Sequence, residues 1–362
     1  MCSQSSAQQC GEGNDNDTSG NHPKMTGSID KENGTVSKKE SQWTVYDTEQ
    51  DSSLLPTIAV LLWIGWMGID VYLLLYLIFI ADMTQRAVII SIVIAVTIPP
   101  PGFPMALGER LGKWSLTQSE KYFGMKTTLE NEESIKKISQ SSSPLIFAHE
   151  PHDVLPFPMA VFSPYLPRLR YLNCACLVTS AIFHIPFLRQ MYTWTHCESV
   201  DKKTFRSKLL RNECLVFCPG GVQEVTMMDP AFPDDVLVYL KTRKGFIKLA
   251  LETGASVVPS FGFNTDGCYG YWIPRGKVVN KIARSLGFLP MVFWGRFGIP
   301  FGIPKPKKIH VVVGEVIKIP KVENVTNELV DKWHGVFLTE MEALFERHKK
   351  DAGYAHRKLK IL

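Results

Sequence analysis

Three textures follow one another along the chain. Residues 1 to about 53 are polar, rich in Ser, Asn, Asp, Gln, Lys and Gly, and hold almost no apolar clusters. Such a composition cannot bury enough surface to fold, so it predicts a disordered tail. The charged n-region and apolar core of a signal peptide are missing, and the expectation is a cytosolic tail. From Leu54 to Ala81 run 28 residues whose only charged side chain is Asp70. A span needs roughly 20 apolar residues, so this stretch predicts membrane insertion. After the polar break Asp82-Met-Thr-Gln-Arg86, a second apolar run covers Ala87 to Ile98, and Pro99-Pro-Pro101 and Pro104 then interrupt it. Twelve residues are too few for a clean span. The pattern over 54–107 therefore predicts a helical hairpin: one full helix, a tight turn and a shorter, kinked return. Asp70 at mid-helix would cost ~3 kcal/mol in lipid, so it should face the partner helix or water.

From 108 to 362 the texture is α/β, a single sizeable domain in which short apolar runs end in turns. Leu145–Ala148, Leu215–Cys218, Ser256–Phe261 and Ile309–Val313 read as strands. Between them Asp201–Leu210, Lys244–Leu251 and Val325–Lys349 read as helices. Thr242 is the expected N-cap of the second, and Gly254 its stop. The apolar segment Leu286 to Pro304 is broken too often by Gly and Pro for a span. It is expected to lie at a membrane surface, to line a lipid entrance, or to pack as a plain surface loop.

Charge and cysteine usage narrow the setting. A net charge of +5 and a pI near 8.6 suit an anionic membrane or ligand. They are too mild for nucleic acid, and no interleaved basic and aromatic motif supports it. None of the eight cysteines forms a C-x-x-C pair, which fits a reduced, cytosol-facing protein. Cys174-Ala-Cys176 reads as buried strand thiols rather than a metal or redox pair.

The chemistry concentrates in Phe147-Ala-His-Glu-Pro-His-Asp-Val-Leu-Pro156. His149 and His152 are three apart, and Pro151 prevents the helix a zinc-protease pair requires, so no metal is expected. Acid–base work suits His152 better, because imidazole titrates near neutrality and a carboxylate can fix its tautomer. Glu150 and Asp153 flank it. A second feature is the strand-to-turn run Val216-Phe-Cys-Pro-Gly-Gly-Val-Gln-Glu224, where Gly220 and Gly221 can bring backbone amides to an oxyanion. Third is Arg243-Lys-Gly-Phe-Ile-Lys248, where Arg243, Lys244 and Lys248 at a helix start suit phosphate. Each alone has an ordinary structural alternative: a satisfied histidine cluster, a plain turn, a solvated charged face.

Taken in order, these motifs resemble the type-2 diacylglycerol acyltransferase family. The resemblance adds Phe187-Leu-Arg189 with Trp194, Phe293-Trp-Gly-Arg-Phe-Gly298, His310-Val-Val-Val-Gly314 and Phe345-Glu-Arg-His348, and covers about residue 54 to the end. The family's commonest loop is His-Pro-His-Gly. Glu150 stands at its first position, as in the plant and algal variant, and Asp153 at its last. Related phospholipid-type acyltransferases carry an Asp five residues after their histidine, where this chain has Phe157. The carboxylate orienting His152 is thus left open between Glu150, Asp153 and Glu224.

What the resemblance implies is a glycerolipid-acyltransferase-like α/β domain behind a membrane hairpin. It would transfer an acyl group from acyl-CoA to diacylglycerol with His152 as general base, Pro151, Gly220 and Gly221 near the substrate, and the basic helix on the CoA phosphates. No metal or redox cofactor is needed. Monoacylglycerol or a fatty alcohol are the alternative acceptors, and a non-catalytic lipid-droplet scaffold is the alternative class. Lys358-Leu-Lys-Ile-Leu362 resembles a dilysine retrieval signal, implying the endoplasmic reticulum membrane with cytosolic termini and lipid droplets as a second destination. Self-association is left open.

Overall fold

The computed structural model describes residues 43–362 apart from 101, 142, 229–234, 275, 277–280, 282–284 and 286–290. The expected disordered tail lies outside the described residues as far as 42, but its last part is ordered. Strand β1 (Thr44–Asp47) alternates inward and outward side chains and pairs antiparallel with β2 (Lys126–Leu129). Tyr46 on β1 donates its hydroxyl to Glu132 at 2.9 Å. A tyrosine and a β-branched valine in alternation suffice for an edge strand once a partner is present.

The long apolar run is not one helix. It breaks at Ile64–Gly65 into α1 (Leu54–Trp63) and α2 (Trp66–Phe79), bent by 65°. The cause is what each half packs on. Helix α1 buries Pro56, Ala59, Val60 and Trp63, a helical stripe laid against α4 (Met105–Phe123). Helix α2 buries only Gly68. Its return, α3 (Met83–Thr97), buries no residue; the polar break supplies its start through a capping box of Asp82 and Gln85. Among the described residues no single helix is long and apolar enough to cross a membrane, though α1 and α2 together pass by length and composition. Large apolar side chains of α2 and α3, among them Leu74, Ile78, Phe79, Ile90 and Ile94, are half or more exposed.

Behind the helices stands an eight-stranded mixed sheet. The remaining members are β3 (Leu145–Glu150), β4 (Ala175–Val178), β5 (Cys197–Ser199), β6 (Leu215–Phe217), β8 (Ser256–Phe263) and β11 (His310–Val313), in the order β1-β2-β11-β8-β3-β6-β4-β5. All four expected strands are there. Strands β8, β3, β6, β4 and β5 run parallel in sequence. Apolar clusters cover both faces, which is why β3 and β8 are buried at every position. One face meets α1, α4 and residues 154–172; the other meets α7 (Lys202–Leu210), α9 (Gly245–Thr253) and α10 (Asn327–His348). Gly254 stops α9 in the left-handed region as expected, but Lys244, not Thr242, holds the N-cap position.

Several of the motif residues serve this frame. Arg347 and His348 at the end of α10 clamp buried Glu130 just beyond β2, at 2.7 and 2.9 Å. Arg189 and Gln190 of α6 (Leu188–Trp194) donate to the last carbonyls of α3, Thr97 at 2.9 Å and Val96 at 3.1 Å. The described part of 286–304 packs at the base of α2, where Tyr72 donates to the Pro300 carbonyl at 2.8 Å. The dilysine tail is not a free end: β12 (Lys358–Ile361) pairs parallel with β7 (Asp235–Val238), and Lys360 bonds Asp235.

Candidate active site

Parallel register brings the two motif loops together. Ala148 on β3 lies beside Phe217 on β6, so both strands deliver their following residues to the same carboxyl edge of the sheet. Such an edge is where open α/β sheets bind ligands. Glu150, Pro151 and His152 leave β3 there; Cys218, Pro219 and Gly220 leave β6 and enter the short helix α8 (Gly221–Val225).

His149 belongs to the core. It is fully buried, its Nδ1 meets Ser260 Oγ at 3.0 Å, and burial holds its pKa down at about 3, so it stays neutral. His152 is placed differently. Its Nδ1 lies 2.9 Å from the backbone carbonyl of Asp153. A carbonyl only accepts, so Nδ1 carries the proton and Nε2 keeps its lone pair. Burial depresses the His152 pKa, with backbone hydrogen bonds opposing. The group that orients the imidazole is thus a peptide oxygen, not one of the three carboxylates considered. Asp153 presents that oxygen through a left-handed backbone (φ 50°), a conformation aspartate tolerates. Its carboxylate turns away to accept from the Val154 N–H at 2.7 Å, and burial raises its pKa to about 6.

The other carboxylates meet each other. Glu150 accepts from the Gly220 N–H at 2.8 Å and from the Cys218 thiol at 3.3 Å. Glu224 accepts from the His152 N–H at 2.5 Å and the Tyr239 N–H at 3.0 Å. The Gly220 amide is therefore already committed. Gly221, at φ 55°, lines the cavity beside His152. Of the basic trio only Arg243 reaches this turn, donating to the Gly220 carbonyl at 3.2 Å with its guanidinium 5.1 Å from the Tyr239 ring. Lys244 pairs with Asp331 at 2.6 Å, and Lys248 is exposed on α9.

Two cavities meet at the loop. His152 opens on an apolar one of about 320 Å³, walled by Trp63 and Met67 of the first two helices, Phe157, Tyr192, Val222 and Phe293. Pro151, Asp153 and Glu224 line the other, of about 440 Å³, with Asp266, Tyr269 and Trp294. Met291 and Phe293 thus bring the broken apolar segment to the wall of the first cavity. Sequence reading missed Cys218 and Tyr239. Cys218 was within reach, since it directly follows the strand that neighbours β3; Tyr239 meets Glu224 through its peptide N–H, which carries no side-chain signal.

Fold and site together define an α/β protein that presents a histidine at the carboxyl edge of its parallel strands beside an apolar cavity, an arrangement suited to acid–base chemistry on an apolar substrate. Residues 112–361 match the family described as diacylglycerol acyltransferase, and the chain belongs to that family. It is 34% identical to diacylglycerol O-acyltransferase 2 of Dictyostelium discoideum over 56% of this chain and 66% of that one. It is 32% identical to the Homo sapiens protein of the same name over 47% and 46%. With acyl-CoA wax alcohol acyltransferase 2 of Mus musculus it shares 29% over 49% and 56%. The matched region thus spans about half to two thirds of these relatives' length. A solved 1-acyl-sn-glycerophosphate acyltransferase from Thermotoga maritima overlays at a TM-score of 0.37 and 14% identity, covering 81% of this chain and 95% of that one, too distant a likeness to carry an argument.

Proposed function

We propose that the chain is an acyl-CoA-dependent O-acyltransferase that esterifies diacylglycerol to triacylglycerol. One observation carries the proposal: His152 has its Nδ1 proton tied to the Asp153 carbonyl and opens on an apolar cavity. The free Nε2 takes the proton of the acceptor hydroxyl as its oxygen attacks the thioester carbonyl. The tetrahedral oxyanion then collapses, the C–S bond breaks, and the imidazolium returns the proton to the departing CoA thiolate. Gly221 lines the cavity wall with its amide against the weak acceptor Cys218 Sγ, and that amide would turn to the oxyanion, an interaction worth ~3 kcal/mol. Arg243, with Lys248 beyond it on α9, would receive the CoA phosphates.

The setting we propose is the endoplasmic reticulum membrane. Supporting it are the exposed apolar side chains of α2 and α3, and the walling of the cavity by Trp63 and Met67 at their root. A lipid acceptor then reaches His152 without crossing water, which would cost ~0.8 kcal/mol per exposed CH₂. Paired as β12, the dilysine tail lends this location no support.

The test uses membranes from a host lacking its own neutral-lipid synthesis. Labelled acyl-CoA is offered with diacylglycerol, monoacylglycerol, a fatty alcohol or lysophosphatidate in parallel. Triacylglycerol from diacylglycerol is expected, and His152→Ala, inserted normally, should lose it by on the order of 10²–10⁴-fold. Preference for a fatty alcohol or monoacylglycerol would change the acceptor; wild-type turnover in His152→Ala would remove the base.

A further inference from the structure

Glu150 and Glu224 are left without a role by the acyl-transfer step, yet they are among the best-buried charged residues of the chain, 0% and 1% exposed. Their carboxyls converge on Gly220: Glu150 accepts its N–H at 2.8 Å, and a Cβ built there would stand 2.2 Å from Glu224 Oε2. Two ionised groups so close in the interior would repel, and a hydrogen bond between carboxyl groups requires a proton. The donors around the pair say which group holds it. Glu224 accepts two peptide N–H groups, from His152 and Tyr239, an environment suited to the ionised form. Glu150 accepts one, from Gly220, and otherwise only a weak thiol donor.

We propose that Glu150 and Glu224 form one positioning strut, a neutral carboxylic acid bonded to a carboxylate, that holds the His152 backbone at a fixed distance from the Gly220 turn. The contacts run without a gap: His152 N–H to Glu224, Glu224 to the acid proton of Glu150, Glu150 to Gly220 N–H. This rests on His152 being the base, and it makes neither glutamate a partner of the imidazole. It also gives a physical reason for the loop variant noted in the sequence. A neutral imidazole offers one N–H and one acceptor nitrogen, the same pair of functions as a protonated carboxyl.

The strut has a pH limit. Burial first, then the charge of Glu224, push Glu150 well above the ordinary carboxyl range, and burial raises Glu224 as well. The other groups facing the pair are the Cys218 thiol, pushed up by burial, the His152 imidazole, the Asp153 carboxyl and the Arg243 guanidinium bound at Gly220. With a folded pKa above its unfolded value, Glu150 contributes stability at low pH that is lost as pH rises through the folded pKa.

Full-length protein in membranes provides the test, with Glu150→Gln, Glu150→Ala and Glu224→Gln beside wild type. Glutamine at 150 can donate to Glu224 and accept from Gly220; glutamine at 224 must turn an NH₂ towards one of two peptide donors. Glu150→Gln should restore most of the kcat that Glu150→Ala loses, while Glu224→Gln falls on the order of 10²-fold in kcat with little change in KM. The alkaline decline of wild-type kcat should move to higher pH in Glu150→Gln, because an amide does not ionise. Glu150→Gln as poor as Glu150→Ala, or an unmoved alkaline decline, overturns the proposal. An infrared difference spectrum in D₂O, wild type minus Glu150→Gln, reads the strut without turnover and without relying on variants that fold poorly. A protonated-carboxyl C=O band at neutral pH is expected, and its absence overturns the strut. That band together with no acyl transfer by wild type would sink the functional reading and leave the strut standing.

Discussion

At the scale of single residues, the proposed chemistry turns on which atom of His152 holds a proton. A base acts only while unprotonated, and burial depresses the His152 pKa. The acid limb of kcat/KM should therefore have its midpoint below about 6.5, the ordinary histidine value. A pH–rate profile on membranes checks this; a midpoint above that value would mean another group is titrating. As a candidate His152 stands out in the sequence, a histidine after an apolar run and between two prolines, and the structure places it on the wall of an apolar cavity. Its partner was not legible, because sequence shows side chains and the partner is the peptide oxygen of Asp153. Nor was the meeting of Glu150 with Glu224, since 72 residues separate the carboxylate of Glu224 from the peptide it holds at His152. Only the register of β3 against β6 brings them together.

Elements were legible in proportion to their length and burial. The helices α7, α9 and α10 end within a residue or two of their patterns, and the four buried strands all form. Short edge strands such as β1 and β5 went unread, because three or four residues carry too little periodicity until a neighbour supplies the ladder. The break at Gly65 was hidden for another reason: uniform hydrophobicity says nothing about where packing on α4 stops. Close approach between elements gives a paired prediction. A Cβ at Gly108 of α4 would lie 2.0 Å from the Trp194 indole of α6, whose Nε1 is already fixed on the Gly102 carbonyl at 2.7 Å. Gly108→Ala should cost roughly 1–3 kcal/mol through overpacking. At Gly335, inside α10, an added Cβ meets nothing within 4 Å. Gly335→Ala should stabilise by about 1 kcal/mol, the ordinary helical preference for alanine. Thermal unfolding of both variants reads the two signs; a Gly108→Ala protein as stable as wild type would mean that α4 and α6 do not hold this contact.

For the molecule as a whole, the question is what covers α2 and α3. Composition predicts a membrane hairpin over 54–107; the structure lays the buried stripe of α1 on α4 and leaves α2 and α3 almost without cover from the folded body. Helix α2, at 14 residues, rises about 21 Å, short of the ~30 Å hydrocarbon core. The exposed pair α2 and α3 carries fifteen Leu, Ile, Val and Phe residues. At about 0.3–0.6 kcal/mol each on an insertion scale, they favour the bilayer by about 5–9 kcal/mol. An aspartate near mid-helix costs about 3 kcal/mol on the same scale, so two outweigh the smaller figure. Ile90→Asp with Ile94→Asp should therefore shift the protein towards the carbonate-extractable fraction. Both positions are half exposed and α3 buries nothing in the folded body, so thermal stability of the extracted protein should be preserved. Acyl transfer to a water-dispersed short-chain acceptor should persist in that fraction, while transfer to membrane diacylglycerol falls, because His152 and its cavity wall are untouched and only access to lipid is lost. Equal transfer to both acceptors in an extracted double variant would show that the hairpin anchors the enzyme without feeding its cavity.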